Sequence, residues 1–326
     1  LEYQKINIDS IDTKSPCWDR FIIAFQSEIK DIKGSIKKYG LINPIKVWKK
    51  ASGDGYWLLK GFNRLKAVIR LKWQKIPAMV YQDVELNEIK ALELALVEIY
   101  YGPLLSDAEK AFFLAKVGRC LSVNHHYITA RCSHYLKLAS SEAFINHYIK
   151  IGKLPKKYLS ALHKGTLSIE QTQAVFDFKK DERKVLLNLL CSNIYLNRNE
   201  SFQFFQLIKD LTIINKCSAK DLLNKSILRS IYTNNRLQVK KKGERLLELL
   251  RKMRYPKTHQ AMEEFQQNIV DADLPHRVHV QHPPYFEGDR LRFVIDSRNE
   301  NELVYQLDAI KKSLSTGKLK PLFKYI

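Results

Sequence analysis

Ser35-Ile36-Lys37-Lys38-Tyr39-Gly40-Leu41-Ile42-Asn43-Pro44-Ile45-Lys46-Val47 and, after a polar turn, Lys60-Gly61-Phe62-Asn63-Arg64-Leu65-Lys66-Ala67 decide the fold of the N-terminal third. Ile29, Ile32, Ile36 and Tyr39 recur at helical spacing, and Gly40 follows where a left-handed C-cap belongs, which predicts an amphipathic helix over 28–39. The β-type runs Ile45-Lys46-Val47-Trp48 and Tyr56-Trp57-Leu58-Leu59-Lys60 flank Gly53-Asp54-Gly55 and read as a hairpin. Gly61-Phe62-Asn63 leads into a helix over 64–71. Ile76-Pro77-Ala78-Met79-Val80-Tyr81 then reads as a short strand whose Pro77 favours its start or an edge. Helix, hairpin, helix and strand make a compact α+β module.

Working outward, the pattern beyond about residue 86 is almost wholly helical, with capping boxes at Ser106-x-x-Glu109 and Ser168-x-x-Gln171. The spacing predicts helices over 88–100, 106–119, 124–137, 141–151, 156–163, 168–177, 181–195, 200–214 and 218–232. Composition shifts again at Arg254-Tyr255-Pro256-Lys257. Beyond it Leu291, Phe293 and Ile295 alternate as a strand, and Leu303, Leu307, Ile310 and Leu314 share one helical face. One strand and one helix cannot close a core, so this part is expected to dock on the rest of the chain or on a second copy. The expected organisation is an α+β module over 1–95, a mostly α-helical region over 96–235, and a small α/β C-terminal unit over 236–326.

The formal charge of the 326-residue chain is +21, an excess that repels itself unless a polyanion or counterions offset it. Nucleic acid is the default partner, although an AT-rich genome that favours Lys codons produces the same excess. Cys17, Cys120, Cys132, Cys191 and Cys217 stand far apart in no CxxC pair, which argues against a secreted disulfide framework or a zinc ribbon and fits a reducing cytoplasm. The N-terminal residues lack a signal-peptide core, Leu1 suggests a missing natural start, and no apolar run has membrane-spanning length. A cytoplasmic, nucleoid-associated protein without membrane contact is expected.

At the second quoted stretch, Gly61 lets backbone approach a ligand closely, while Asn63 and Arg64 sit at a helix N-terminus whose free N–H groups and dipole attract phosphate. Arg64 adds a forked, permanently charged donor. A turn glycine beside a surface arginine is the plainer alternative.

Together the two stretches resemble the N-terminal domain of the ParB/sulfiredoxin superfamily, and the match is to ParB-like partition proteins. The first matches that family's helix, Gly-Leu, Pro and strand run; the second matches its Gly-x-x-Arg box. The resemblance implies a nucleotide or phosphate pocket at Gly40, Pro44, Gly61, Phe62, Asn63 and Arg64, with CTP or ATP and Mg²⁺ as the implied ligands. Phe62-Asn63 departs from the family's usual Glu-Arg. A second family box aligns with Glu98-Ile99-Tyr100-Tyr101-Gly102, where Glu98 is kept as a candidate Mg²⁺ ligand or catalytic carboxylate. Ile99 offers no ligand there and Gly102 no charge, which puts nucleotide hydrolysis in doubt.

The resemblance also implies a helix-turn-helix, with Ser106 to Arg119 as supporting helix and Asn124 to Lys137 as recognition helix. Asn124, His125, His126, Tyr127, Thr129, Arg131 and Lys137 can reach base edges or phosphates of double-stranded DNA, and contact with the duplex is expected within 105–235. The turn Cys120-Leu121-Ser122-Val123 departs from the usual spacing, so a plain packing helix remains the alternative. His125, His126, Cys132 and His134, with Cys120, match no closed zinc motif, and no metal is expected there. Leu162-His163-Lys164-Gly165-Thr166-Leu167-Ser168 is similar to the family's Gly-x-Leu-Ser helix start. C-terminal homodimerisation, as in partition proteins, and intramolecular docking stay open for the last unit.

Two enzymatic relatives are weighed by the same residues. Sulfiredoxin needs a cysteine after the box glycine, where Phe62 stands. A nucleotide-dependent small-molecule enzyme such as a free-serine kinase is the alternative function, with Glu28, Asp31 or Glu98 as base, but it has no need of so basic a helical region.

Overall fold

The computed structural model describes the chain except for residues 24–28, 52–54, 103, 122, 284, 285 and 326, together with the side chains of 29–31, 98, 99 and 325. The chain forms two compact units, Leu1–Tyr195 and Leu196–Ile326. This partition differs from the three segments expected from composition, because the α+β module shares a core with the helices that follow it. Leu59 of the module and Phe21 pack with Leu92, Leu96, Phe113 and Leu114 in one apolar cluster. The division at 235/236 is likewise absent, since the helices on its two sides pack together within the second unit.

In the first unit, β1 (Glu2–Asn7), β2 (Ile45–Lys49), β3 (Tyr56–Lys60) and β4 (Lys75–Tyr81) form one sheet in the order β1-β4-β2-β3. β2 and β3 make the expected hairpin, β4 runs parallel to β2, and β1 closes the far edge antiparallel to β4. β1 was not expected, because only Ile6 in it is buried and its sequence carries no apolar alternation. Pro77 therefore lies in an interior strand. It is tolerated near the strand's start, because the ladder with β2 begins only at Ala78. The helix α1 (Ile29–Tyr39) ends as expected, with Gly40 at φ +73° and its N–H donating to the Ile36 carbonyl. α2 (Phe62–Arg70) buries Leu65, Ala67 and Val68 on the core of Ile45, Val47, Ile76 and Val80.

α3 (Glu88–Tyr100) and α4 (Asp107–Cys120) follow, and Ser106 forms its capping box with Glu109. The segment expected to be one helix over 124–137 is a continuous right-handed stretch built from α5 (His125–Tyr127), a π turn (Ile128–Cys132) and α6 (Ser133–Tyr135). α7 (Glu142–Gly152) crosses α4 so closely that Gly152 faces the backbone carbonyl of Ala111. α8 (Lys156–His163), α9 (Ile169–Val175) with the Ser168–Gln171 capping box, and α10 (Lys180–Ser192) complete the unit.

The second unit contains α11 (Arg198–Ile214), α12 (Ala219–Asn224), α13 (Ser226–Tyr232), α14 (Val239–Arg254), α15 (Pro256–Asp271), the two-stranded sheet of β5 (Val278–Gln281) and β6 (Arg292–Ile295), and α16 (Glu300–Ser315). The single helix expected over 218–232 breaks at Lys225, which is extended and starts α13. The strand with Phe293 and Ile295 finds its partner in β5, and Phe265, Ala272, Val280, Leu319 and Leu322 close a small core. α16 does not bury its apolar stripe: Leu303, Leu307 and Leu314 are exposed and only Ile310 packs inward. The buried side is held by polar contacts, with Gln306 donating to the Asp296 carbonyl and Ser313 to the Ala272 carbonyl.

Candidate functional site

A cavity of about 750 Å³ opens beside Gly61 in the first unit, lined on one side by Gly40, Asn43, Gly61, Phe62, Asn63 and Arg64. Five of the six expected pocket residues therefore share one concavity. The sixth, Pro44, lies behind it and offers its carbonyl to Arg64. Phe21, Ile22 and Ile23, with Ala95 of α3, Gly102 and Leu105, also line the cavity.

Gly61 caps α2 with φ +101° and ψ 26° and has no side chain with which to cap the helix start. A Cβ at Gly61 would stand 2.6 Å from Ile45 Cγ2 and 3.2 Å from Arg64 Nη2, so the bare backbone is what lets the strand end, the helix start and the guanidinium meet. The first turn of α2 holds no acidic residue, which leaves the positive end of its dipole unopposed from within the helix.

Arg64 departs from the expected geometry in one respect. Its Nη1 donates to the carbonyls of Asn43 at 2.6 Å and Pro44 at 2.7 Å, so one arm of the fork ties the 41–44 loop to α2. The arginine thus builds the rim as well as charging it. Asn63 Oδ1 is buried with no hydrogen-bond partner among the described residues. Gly102, aligned with the second family box, does reach the wall, but supplies no side chain. Glu28 and the side chains of Asp31 and Glu98 lie outside the described residues.

The lining segment of Phe21 to Ile23 is anchored to α4. Lys116, 2% exposed, pairs with Asp19 at 3.4 Å and donates to the Ile22 carbonyl. Burial pushes its ammonium down to about 8, against the opposing pull of Asp19. Trp18 lies against Phe62 with ring centroids 5.6 Å apart. Cys17 and Cys120, which lie in no CxxC pair, form a disulfide across 103 residues, while Cys132, Cys191 and Cys217 are free. Their wide sequence separation concealed a Cα–Cα distance of 5.5 Å. No sequence signal marked Trp18, Lys116 or this pairing.

The second candidate surface is the helical stretch from Asn124. Asn124 is the N-cap, its Oδ1 accepting from the Tyr127 N–H at 2.7 Å. Ile128, Cys132 and Leu136 turn into the core, whereas Asn124, His125, His126, Arg131, His134 and Lys137 are exposed. Thr129 is half-buried and donates to the His125 carbonyl. Tyr127 is half-buried and donates to Glu93 at 3.2 Å; burial, helped by that carboxylate, raises its hydroxyl above the usual phenol range. It thus belongs to the packing face more than to the outer one. Lys137, at φ +55°, lies over the Tyr100 ring, which also stacks on His134. No Asp or Glu occurs from Cys120 to Ser141. Cys132 sits in the core, its thiol pushed up to about 12 by burial, and Cys120 is bridged to Cys17, so neither thiol joins the histidines.

The family profile described as the ParB N-terminal domain matches residues 2–99. Among curated proteins, the nucleoid occlusion protein of Bacillus licheniformis is 25% identical over 162 residues, covering 50% of this chain and 54% of that protein. That of Bacillus anthracis is 24% identical over 176 residues, covering 53% and 57%. The chain spans little more than half the length of these relatives. Among solved structures, the C-terminally truncated chromosome-partitioning protein ParB from Caulobacter crescentus complexed with CTP-gamma-S aligns with 58% of this chain and 99% of its own, at 21% identity and a TM-score of 0.27. The same protein complexed to the centromeric parS site aligns with 62% and 98%, at 18% identity and a TM-score of 0.34. Within the matched residues, the box at Gly61 and the loop at Asn43 both line the cavity.

Proposed function

We propose that the chain is a ParB-type DNA-binding protein in which the cavity at Gly61 holds a nucleotide and the helical stretch from Asn124 to Lys137 meets the duplex. The observation that carries the reading is the cavity itself: a left-handed glycine, a helix start and a rim arginine converge on one concavity inside a ParB N-terminal domain. Backbone N–H groups at the α2 start and the Arg64 guanidinium suit a phosphate chain. The apolar wall of Phe21, Ile22 and Ile23 suits the face of a base or sugar. Chemically the ligand is a nucleoside triphosphate, and CTP with magnesium is the first to test.

A nucleotide panel scored by thermal shift, with and without Mg²⁺, tests the cavity. A ligand at a hundred times its Kd stabilises by about 2.7 kcal/mol, and Arg64→Ala is expected to abolish the shift. Arg64→Lys is expected to lose most of it too, because an ammonium cannot hold two loop carbonyls and a phosphate in one plane. An undiminished shift in Arg64→Ala would place the ligand elsewhere.

The duplex surface is read from the exposed amide, imidazole and cationic groups on an acid-free stretch. Titration against plasmid DNA is expected to show a steep salt dependence, falling by about 10³ between roughly 50 and 200 mM salt if about six phosphates are neutralised. Arg131→Ala and Lys137→Ala should each reduce the log–log slope by about one. A flat response to salt counts against DNA binding altogether.

A further inference from the structure

Residues 17–23 bind to three things at once. Phe21 is buried in the helical core, Ile22 in the core of the sheet, and Phe21, Ile22 and Ile23 line the same cavity as the Gly61 box. Two attachments fix this segment on α4. One is Lys116, through Asp19 and the Ile22 carbonyl; the other is the Cys17–Cys120 disulfide, four residues further along the helix. Cys17 sits next to Trp18, whose ring contacts Phe62 of the box, and Cys120 ends α4 just before the turn into the stretch starting at Asn124. A bond between these two sulfurs therefore ties the cavity wall to the entry of the candidate duplex-contacting helix.

We propose that Cys17 and Cys120 are a reversible thiol–disulfide switch that sets how firmly the 17–23 wall closes on the cavity. For its effect on ligand the proposal rests on the nucleotide reading above; for its effect on the wall it stands alone. Both cysteines are half-buried and so within reach of an attacking thiolate, whereas Cys132 is enclosed in the core. Where thiol buffers keep a compartment reducing, an accessible disulfide of this kind senses redox state instead of stapling the fold permanently. The exchange partner is a dithiol. Its thiolate attacks one protein sulfur, the other leaves as a thiolate and takes up a proton, and the second thiol of the partner resolves the mixed disulfide. Two electrons and two protons pass to the protein, and the dithiol becomes a disulfide. Oxidation by a small-molecule disulfide runs the same steps in reverse.

After reduction Asp19 and Ile22 remain held by Lys116, but Cys17 keeps its left-handed backbone, φ +58°, with no covalent reason to do so. Residues 15–18 then keep only non-covalent ties, Ser15 to Asp12 and Arg20 Nε to the Cys17 carbonyl, and the wall loosens from its N-terminal side.

The experiment uses the full chain treated with oxidised glutathione or with dithiothreitol, beside Cys17→Ser/Cys120→Ser. Alkylation after denaturation, read by intact mass, should count three free thiols after oxidation and five after reduction, since two of the five cysteines are bridged. Amides of 15–23 should exchange faster in the reduced chain without any ligand. CTP with magnesium should bind the oxidised chain at least about fivefold tighter, the lower end of ordinary coupling between sites. The double variant should match the reduced chain under both treatments. Five thiols after oxidation, equal exchange at 15–23 in both states, or a double variant that still responds to dithiothreitol would each overturn the switch. Should the variant fail to fold, the treated wild-type chain supplies the same comparison. Exchange that responds to redox in a chain that binds no nucleotide in either state supports the switch and removes the nucleotide reading.

Discussion

Gly152→Ala is expected to destabilise the first unit by about 3 kcal/mol or more, a fall in melting temperature of roughly 6–12 °C for a body of this size. The added Cβ would stand 2.0 Å from the Ala111 carbonyl oxygen, 2.6 Å from its carbon and 2.7 Å from Ala115 Cβ. Two of these atoms are α4 backbone, so no rotamer change relieves the clash and α4 and α7 must move apart. That separation propagates, because α4 carries Phe113, Leu114 and Val117 in the core and Lys116 under the cavity wall. Gly34→Ala is the matched control: Gly34 lies in α1 with nothing among the described residues within 4 Å of the new carbon. There the same change should stabilise by about 0.5–1 kcal/mol through helix propensity. Thermal or urea unfolding of the two variants checks both signs, and equal shifts would refute the close crossing.

The contrast between these glycines also shows what could be read from residue order. Gly40 was legible because a left-handed cap is a local event: an apolar helical repeat, then glycine, then Leu41. The hairpin, the capping boxes at Ser106 and Ser168, and the walls of the cavity at Gly61 to Arg64 are local in the same sense, set by residues within a few positions of each other. Gly152 was not legible, because its reason for being glycine is a carbonyl 41 residues away. Lys116 and the Cys17–Cys120 pair are hidden for the same cause, as is the strand Glu2–Asn7, which earns its place by pairing with β4 and not by burying a face.

α16 shows the opposite error. Leu303, Leu307, Ile310 and Leu314 do share a face, but periodicity reports only that a face exists and not what covers it. Gln306 and Ser313 hold the helix through hydrogen bonds that a hydrophobic pattern cannot show. Arg64 is an intermediate case. Its place at the cavity was readable from the Gly-x-x-Arg spacing, whereas its hold on the Asn43 and Pro44 carbonyls depends on how the α1–β2 loop returns beside α2.

Gly61→Ala is expected to cost both stability and ligand, and the two losses are separable. The backbone at φ +101° is disfavoured for an L side chain, worth about 1–2 kcal/mol, and the same penalty applies to Gly40→Ala at φ +73°. Gly40 has nothing within 4 Å of an added Cβ, while at Gly61 the carbon meets Ile45 Cγ2 at 2.6 Å. Ile45 is fully buried and β-branched, so it has little freedom to turn away, which adds about 1–3 kcal/mol at Gly61 alone. Denaturant unfolding should therefore rank wild type above Gly40→Ala and Gly40→Ala above Gly61→Ala. A Gly61→Ala chain as stable as Gly40→Ala would mean that strand and helix do not close on that glycine. Where the variant stays folded at low temperature, its nucleotide-induced shift should still be lost, because the relief of the Ile45 contact moves the α2 start and with it Arg64. Retained binding in a folded Gly61→Ala chain would separate the glycine from the cradle and leave it a turn residue.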